Sequence, residues 1–343
     1  MPNLDPIAER HVANAEAPVG KSVAVRYLLV FAVPLLFPAA LIALALIYLH
    51  SVGKLAPVPL TGSISFNEKA ELLRRDRHMP IDVLAVGSSM TLDNLDGQSV
   101  KEHLPRDANL FNAGSFGLKI SQSAHLAQLI LRKRNPAAVI MVTGPEDFTV
   151  NQQSGLDYDD GDFESFTDGG FYPWFVARHF DMAYYRSGMK EIRLDRRSRR
   201  DYGSLAFDKY GGVLLNIHFP HVNMVRWNAR ADLTHSDPTE WDAFESFAEF
   251  LHQRKIAFYA AQSPLRKAPV NAEMASLMKA RCARLARIVE AHGGAFFDGF
   301  DHCPLDDSYF ADYAHLNAQG AEKFTTAFMD AIDPELKTLQ FKH

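Results

Sequence analysis

Two short stretches at opposite ends of the chain hold the residue types that a serine nucleophile needs. Gly87-Ser88-Ser89 follows Ile81–Val86, a short run of mostly apolar residues, and Asp312 and His315 lie three residues apart near the C-terminus. A serine hydroxyl becomes nucleophilic when a histidine takes its proton and a carboxylate orients the histidine. We therefore expect Ser89 to act as nucleophile, His315 as general base and Asp312 as the residue that orients the imidazole.

The remaining pattern predicts the elements that would position these residues. Predicted strands are Ile81–Val86, Asn109–Phe111, Ala138–Thr143, Ile256–Ala261 and Ala295–Phe297. Predicted helices are Phe66–Arg77, Ser121–Lys133, a helix beginning near Asp237, Asn271–His292 and Ala318–Ala331. Strands that alternate with helices predict an α/β fold with a doubly wound parallel sheet of about five strands. In such sheets ligands bind at the carboxyl ends of the strands, where Ser89 stands.

These blocks together resemble the SGNH (GDSL-like) family of serine esterases and acyltransferases. Gly87-Ser88-Ser89 matches the family's first block, with Ser88 at the position of the usual Asp, and Asp312-x-x-His315 matches its last. A middle block runs from Asn112 to Gly117. The resemblance implies an oxyanion hole that includes the backbone N–H groups of Ser89 and Gly117.

The third block departs from the family pattern. It reads Gly144-Pro145-Glu146-Asp147, with Glu146 where the family has an asparagine that donates to the oxyanion. An ionised carboxylate at that position would repel an oxyanion. Three explanations remain open: Glu146 points away, Glu146 is protonated, or Asn112 supplies the missing donor.

Asn151 to Ala231 interrupts the strand–helix alternation and is interpreted as an insertion over the strand ends. Acidic residues come first, aromatic residues follow, and a basic run from Lys190 to Arg200 comes last. One interpretation is a solvated surface of mutual ion pairs around a small aromatic core. The other is a wall of a carbohydrate or phosphate groove, or a surface that contacts lipid headgroups.

The segment Tyr27–Leu49 contains no charged residue and is long enough to span a bilayer once. We expect a tail at 1–26, an uncleaved anchor at 27–49, a linker with a first helix at 50–80 and a catalytic domain at 81–343. Lys21 and Arg26 precede the apolar segment, which favours a cytoplasmic N-terminus. The catalytic domain would then lie on the periplasmic side of the inner membrane.

Composition excludes several classes of protein. A net charge of −5 disfavours a nucleic-acid binder, and no P-loop or dinucleotide fingerprint is present, so no cofactor is expected. Pro220 between His218 and His221 argues against a helical metal site, and no metal is expected. The two cysteines do not form a disulfide framework, and a Cys282–Cys303 bridge is left open.

Anchored relatives with a Gly-Ser-Ser block include accessory proteins of cell-wall D-alanylation and of exopolysaccharide acetylation. The resemblance therefore implies an O-acyltransferase for an envelope or secreted polysaccharide, working through an acyl-serine beside a membrane-bound O-acyltransferase partner. The first alternative is an extracytoplasmic carbohydrate or lipid esterase. The second is a non-catalytic polysaccharide-binding scaffold, which the departure at Glu146 keeps open.

Overall fold

The computed structural model describes residues 21–52, 54–149, 156–195, 198–231 and 233–339. The chain divides into two compact units, residues 1–52 and residues 53–343. The predicted tail up to Gly20, the start of the insertion at Asn151, and Arg196 and Arg197 of its basic run lie outside the described residues.

The described part of the first unit is one helix, α1 (Lys21–Ser51), which includes Pro34 and Pro38. Within it, Val25–Leu49 has a mean hydropathy of 2.7, and none of this segment is buried. By length and composition this helix can cross a membrane, as predicted for Tyr27–Leu49. In lipid the two prolines are tolerated, because neighbouring groups satisfy the freed carbonyls.

A five-stranded parallel sheet forms the centre of the second unit, in the order β2-β1-β3-β4-β5. The strands are β1 (Val83–Ala85), β2 (Leu110–Asn112), β3 (Ala138–Thr143), β4 (Ala257–Gln262) and β5 (Ala295–Asp298). The predicted fold class is confirmed. β1 is shorter than the predicted strand, because only Val83 to Ala85 pair with both β2 and β3.

Twelve helices follow α1 among the described residues. They are α2 (Ile64–Arg75), α3 (Ser89–Asn94), α4 (Gly97–Glu102), α5 (Ile120–Leu131), α6 (Asp160–Thr167), α7 (Tyr172–Arg178), α8 (Met182–Asp195), α9 (Met224–Trp227), α10 (Pro238–Gln253), α11 (Ala272–Ala291), α12 (Gly299–His302) and α13 (Ala318–Leu336). The predicted helices all form within a few residues of their expected bounds, except that α13 continues to Leu336. The short helices α3 and α4 were not predicted.

Helices cover both faces of the sheet, which is why the strands are apolar on both sides. On one face, the rings of Phe244 and Phe247 in α10 each lie 5.6 Å from that of Phe258 in β4. On the other, Phe324 and Phe328 of α13 lie 6.2 and 5.9 Å from Phe297 of β5. Cys282 and Cys303 are both buried free thiols, so the structure has no bridge between them.

The described part of the insertion carries helices α6 to α9 and packs against α2. The ring of Phe66 lies 4.8 Å from that of Tyr158, and Arg74 donates to the carbonyl oxygens of Phe166 and Gly170. Some aromatic residues of the insertion form a small core, and others are available at the surface for binding. Phe175, Tyr184 and Tyr185 are buried, whereas Phe171, Trp174 and Phe180 are exposed.

Thr91 joins α3 to the two central strands. Its hydroxyl lies 3.0 Å from the Val86 carbonyl oxygen and 2.9 Å from that of Val142, and it accepts the N–H of Val142 at 3.0 Å. The side chain is fully buried. Thr91 therefore fixes the start of α3 at the carboxyl ends of β1 and β3.

We expect Thr91→Val to lower the free energy of unfolding by about 1–3 kcal/mol, because the buried N–H of Val142 loses its acceptor. Denaturant unfolding followed by circular dichroism measures this value. Thr338→Val, which removes an exposed hydroxyl in a local contact, is the control and should change stability by less than about 0.5 kcal/mol. Equal values for the two variants would contradict the assignment.

Candidate active site

Ser89 is the first residue of α3, directly after the turn that ends β1. Gly87 in this turn has φ +153°, and a Cβ there would lie 2.1 Å from Thr91 Oγ1, so the tight turn requires glycine. Ser88 caps α3 by accepting the N–H of Met90 at 3.1 Å. This cap presents the next residue, Ser89, at the carboxyl edge of the sheet, and its side chain stays partly exposed.

Ser89, His315 and Asp312 form one hydrogen-bonded chain. His315 Nε2 lies 2.9 Å from Ser89 Oγ, and His315 Nδ1 lies 2.9 and 3.0 Å from the two carboxylate oxygens of Asp312. With Nδ1 protonated, the ring donates to Asp312 and leaves Nε2 free to accept the serine proton. The three side chains predicted from the sequence are therefore brought together in the geometry that general-base activation of a serine needs.

The surroundings favour an ionised Asp312. Burial alone would raise its pKa, but His315 and the backbone N–H groups of Ala314 and His315 hold the pKa of Asp312 well below its usual range. Burial alone would lower the pKa of His315, but Asp312 outweighs burial and the pKa of the ring is raised. Asp312 thus orients the ring and stabilises its protonated form.

Asn94 holds the loop of Asp312 and His315 against the nucleophile helix. Its amide nitrogen donates to Ser263 Oγ at 2.7 Å and to the Ala314 carbonyl oxygen at 3.1 Å, and its oxygen accepts the N–H of Leu316 at 2.8 Å. The side chain is fully buried. Ser89 is the first residue of α3 and Asn94 is the last. The bonds of Asn94 therefore fix α3 relative to the residues on both sides of His315.

Two backbone N–H groups were expected at the oxyanion hole. That of Ser89 lies in the first turn of α3, where no helical carbonyl precedes it to accept. Gly117 has φ +71° and open space beside its Cα, which leaves room for a substrate group. The loop of Gly117 is fixed near the nucleophile, because the Ser115 N–H donates to the Gly87 carbonyl oxygen at 3.1 Å.

Asn112 has a different set of contacts from those of an oxyanion donor. Its amide nitrogen donates to the Thr91 carbonyl oxygen at 2.9 Å, and its oxygen accepts the N–H of Gly114 at 2.8 Å. The side chain is buried. These bonds shape the loop between β2 and Gly117, so the suggestion that Asn112 replaces the missing donor finds no support in its contacts.

Glu146 lies close enough to His315 and Asp312 for their charges to act on it. Burial, together with the neighbouring Asp147, raises the pKa of Glu146 to about 7. Lys119 holds this turn in place by donating to the Glu146 carbonyl oxygen at 2.5 Å and to that of Thr149 at 3.0 Å. At neutral pH a large share of Glu146 therefore carries a proton and can donate a hydrogen bond, as an asparagine would.

Sequence reasoning missed the function of Asp147 in the same turn. Its carboxylate accepts the Gly144 N–H at 2.7 Å and a hydrogen bond from Ser88. The turn after β3 is thereby connected to the nucleophile turn. The sequence held one signal for this contact. Ser88, which can donate a hydrogen bond, stands where the SGNH pattern has an Asp.

Arg226 was also missed, although it lies inside the insertion singled out from the sequence. Its Nε donates to Asp312 Oδ2 at 2.9 Å, and its guanidinium lies 4.1 Å from the ring centre of Tyr202. Tyr202 in turn donates to the Ala311 carbonyl oxygen at 2.5 Å. The insertion therefore contacts the loop that carries Asp312 and His315.

Within the described ranges, no group of three or more His, Cys, Asp or Glu side chains is arranged to hold a metal ion. His218 contacts Asn216 at 2.8 Å and Asn317 at 3.1 Å through its two ring nitrogens. These contacts account for His218 as a structural residue.

Comparisons with known proteins give distant structural similarity. No protein-family model matches the chain, and no curated protein matches it. A crystal structure of an alpha/beta hydrolase enzyme from the metagenome of Lake Arreo, Spain, is similar, with TM-score 0.40, 15% identity, and coverage of 74% of this chain and 96% of that chain. A carbohydrate acetylesterase family member from Sinorhizobium meliloti has TM-score 0.37 and 12% identity, and the match covers 76% of this chain and 100% of that chain.

We expect Glu146→Gln to extend the activity to higher pH. Below its pKa of about 7 the protonated Glu146 donates to an oxyanion, and above it the carboxylate repels one, so the wild-type rate should fall as pH rises through this range. Glutamine donates at every pH, and the variant should exceed the wild type about tenfold at pH 8.5. Acylation of Ser89 by a fluorogenic acetyl ester, followed from pH 5 to 9, is the measurement.

Glu240→Gln is the matched control, since Glu240 is buried and accepts from Ser121 on α5. It should leave the shape of the pH profile unchanged. A Glu146→Gln profile that also matches the wild type would mean that Glu146 does not face the oxyanion.

Proposed function

We propose that this protein is a membrane-anchored serine O-acyltransferase of the SGNH type, which transfers an acyl group to an envelope or secreted polysaccharide through an acyl-serine on Ser89. The observation that carries the proposal is the hydrogen-bonded chain from Ser89 Oγ through His315 to Asp312. A buried aspartate, a histidine and a partly exposed serine in this order are what acyl transfer requires.

In the first half-reaction, Ser89 Oγ attacks the acyl carbonyl carbon while its proton passes to His315 Nε2. The negative charge on the carbonyl oxygen is stabilised by donors at the oxyanion hole, for which the N–H groups of Ser89 and Gly117 and the protonated Glu146 are the candidates. As the tetrahedral intermediate collapses, the bond to the leaving oxygen breaks and that oxygen takes the proton from His315. The acyl group remains on Ser89 as an ester.

In the second half-reaction, a hydroxyl of the acceptor gives its proton to His315 Nε2 and attacks the acyl carbon. Collapse of this second intermediate returns the proton to Ser89 and releases the acylated acceptor. Water in place of the sugar hydroxyl would give hydrolysis by the same steps. The choice between transferase and esterase therefore depends on which acceptor is held near His315.

Two features favour transfer over hydrolysis. The insertion contributes Arg226 and Tyr202 beside Asp312, so a surface that a minimal esterase does not need borders the site. Helix α2 also contacts the loop of Gly117, because Ser65 Oγ lies 2.6 Å from Ser115 Oγ and accepts the Phe116 N–H at 3.1 Å. The second feature is the proposed anchor, which would keep the domain at the membrane, where an acyl donor is delivered.

We expect Ser89→Ala to abolish covalent labelling by a fluorophosphonate probe and to abolish release of acetate from a small acetyl ester. The fold should remain, because the side chain is only partly buried and Ala has a high helix propensity. Ser187→Ala, which alters an exposed serine in α8, should be labelled like the wild type. Labelling of the Ser89→Ala protein at another serine would contradict the assignment of the nucleophile.

The acceptor is tested in cells that carry Ser89→Ala on the chromosome, with the Ser187→Ala strain as control. Transfer predicts that ester-linked acyl groups on the secreted or envelope polysaccharide are lost, because no acyl-serine forms. Hydrolysis predicts that these groups stay constant or increase. Mild alkaline release of the acyl groups, followed by chromatography, measures the amount, and an increase would reject the transferase.

Topology gives an independent prediction. If Tyr27–Leu49 anchors the protein with residues after Ser51 outside the cytoplasm, alkaline phosphatase fused after His343 should be active. A fusion of green fluorescent protein at the same position, exported through the general secretory route, should be dark. Fluorescence with an inactive phosphatase would reverse the topology, and loss of membrane association after carbonate washing would exclude the anchor.

A further inference from the structure

A second buried carboxylic acid lies beside the catalytic histidine. Asp93 is on α3 one helical turn after Ser89, is 1% exposed, and places Oδ2 4.0 Å from His315 Nε2. Neither carboxyl oxygen of Asp93 has a hydrogen-bond partner among the described residues. The adjacent Asn94, on the same helix and equally buried, has partners for both its amide nitrogen and its oxygen.

An unpartnered carboxyl group is costly to bury, and an uncharged residue at this position would avoid the cost. The charged groups that act on Asp93 are His315, Asp312, Lys69 and Arg226. Lys69 and Arg226 both bond elsewhere. The Lys69 ammonium donates to the carbonyl oxygens of Asn112 and Gly211, and Arg226 Nε donates to Asp312. Of these four groups, His315 is the one whose charge changes during the reaction proposed above.

We propose that Asp93 is a positioning residue that acts through His315, stabilising the imidazolium that forms when Nε2 takes the Ser89 proton. The inference rests on the proposed function and adds a residue to it. Asp312 bonds the ring at Nδ1, whereas Asp93 faces Nε2, the atom at which the proton arrives. At 4.0 Å the contact is too long for a hydrogen bond, but it is short enough for a strong interaction between charges in a buried site.

The charge of this pair depends on pH. Burial raises the pKa of Asp93 to about 8, although the charge of His315 lowers it, so Asp93 holds its proton at pH 7 and acts on His315 as a carboxylate above about pH 8. The imidazolium lowers the pKa of Asp93, and the Asp93 carboxylate raises that of His315. The two groups therefore titrate as a coupled pair, and a charged ring is favoured when a charged Asp93 faces it.

Asp93→Asn tests the proposal, because it keeps the shape of the side chain and removes the titratable group. The pKa of His315, read from the shift of its Cε1 proton by NMR, should fall by about one unit, since a carboxyl group that raises it is gone. The signal of His315 is identified among the fourteen histidines by its absence from a His315→Gln spectrum. The kcat for a small acetyl ester should fall about tenfold at pH 9, where Asp93 of the wild type is ionised, with KM unchanged.

Asp82→Asn is the matched control: Asp82 is a buried carboxylate that accepts from Asn109 at the opposite end of β1. It should leave the His315 titration and kcat unchanged. Asp93→Ser is the second variant if Asp93→Asn does not fold, with the same expected direction. An unchanged His315 pKa in a folded Asp93 variant overturns the proposal, whatever the change in stability.

The NMR titration does not depend on turnover. It therefore tests the role of Asp93 separately from the acyl-serine mechanism. Wild-type protein that is never labelled at Ser89 would remove the acyl-serine mechanism. A labelled wild type with no shift in the Asp93 variant would remove only the role of Asp93.

Discussion

The hydrogen bonds of Asn94 are the constraint on which the geometry of the candidate active site depends. They connect α3 with Leu316, a residue 222 positions later in the chain, and with Ser263 after β4. Bringing such distant segments together costs chain entropy, which contacts formed elsewhere in the sheet must offset. Because every polar atom of the fully buried Asn94 side chain is satisfied, these bonds leave one relative position for the Ser89 helix and the His315 loop.

Burial and the hydrogen bonds that offset it set the pKa values of the acidic residues around His315. Asp312 is charged because His315 and two backbone N–H groups offset the cost of its burial. Glu146 and Asp93 lack comparable bonds, so burial raises the pKa of each toward or above neutrality. Three acids around one imidazole thus hold different protonation states at the same pH, which allows each to have a different function.

The sequence was sufficient to predict the fold class, and it singled out the three residues that the structure joins by hydrogen bonds, Ser89, His315 and Asp312. Apolar runs that end in Gly87 and Gly144 mark the carboxyl ends of buried parallel strands, and helical spacing marks α5, α10 and α11. Motif order then indicated that Ser89 and His315 meet, and the structure places them at 2.9 Å. What such patterns cannot predict is the direction of a side chain across a tertiary contact. Arg226 lies in the four-residue helix α9 of an irregular insertion, so its bond to Asp312 has no signature in the sequence.

Asp93 illustrates the same limit inside a regular element. It is one of two adjacent polar residues on a short helix, and its spacing from Ser89 would equally suit a solvated helical face. Tertiary packing buries it, with α13 and β3 among the elements close to α3, and this burial raises the pKa of the carboxyl group to about 8.

The environment also changes what Glu146 can do at the position where the SGNH pattern has an asparagine. In water a glutamate would repel the oxyanion that the asparagine of the SGNH pattern binds, which on the sequence alone keeps a scaffold without activity open as an alternative. Partly buried beside Asp147, with its turn held by Lys119, the same carboxyl group keeps a proton over part of the physiological range. When Glu146 ionises, it can no longer donate a hydrogen bond, whereas an asparagine amide donates at every pH. Because His315 must be neutral to accept a proton while Glu146 must be protonated to donate one, the two requirements overlap only in a limited pH window. The departure from the SGNH pattern is therefore compatible with the proposed catalysis and would narrow the pH range in which it proceeds.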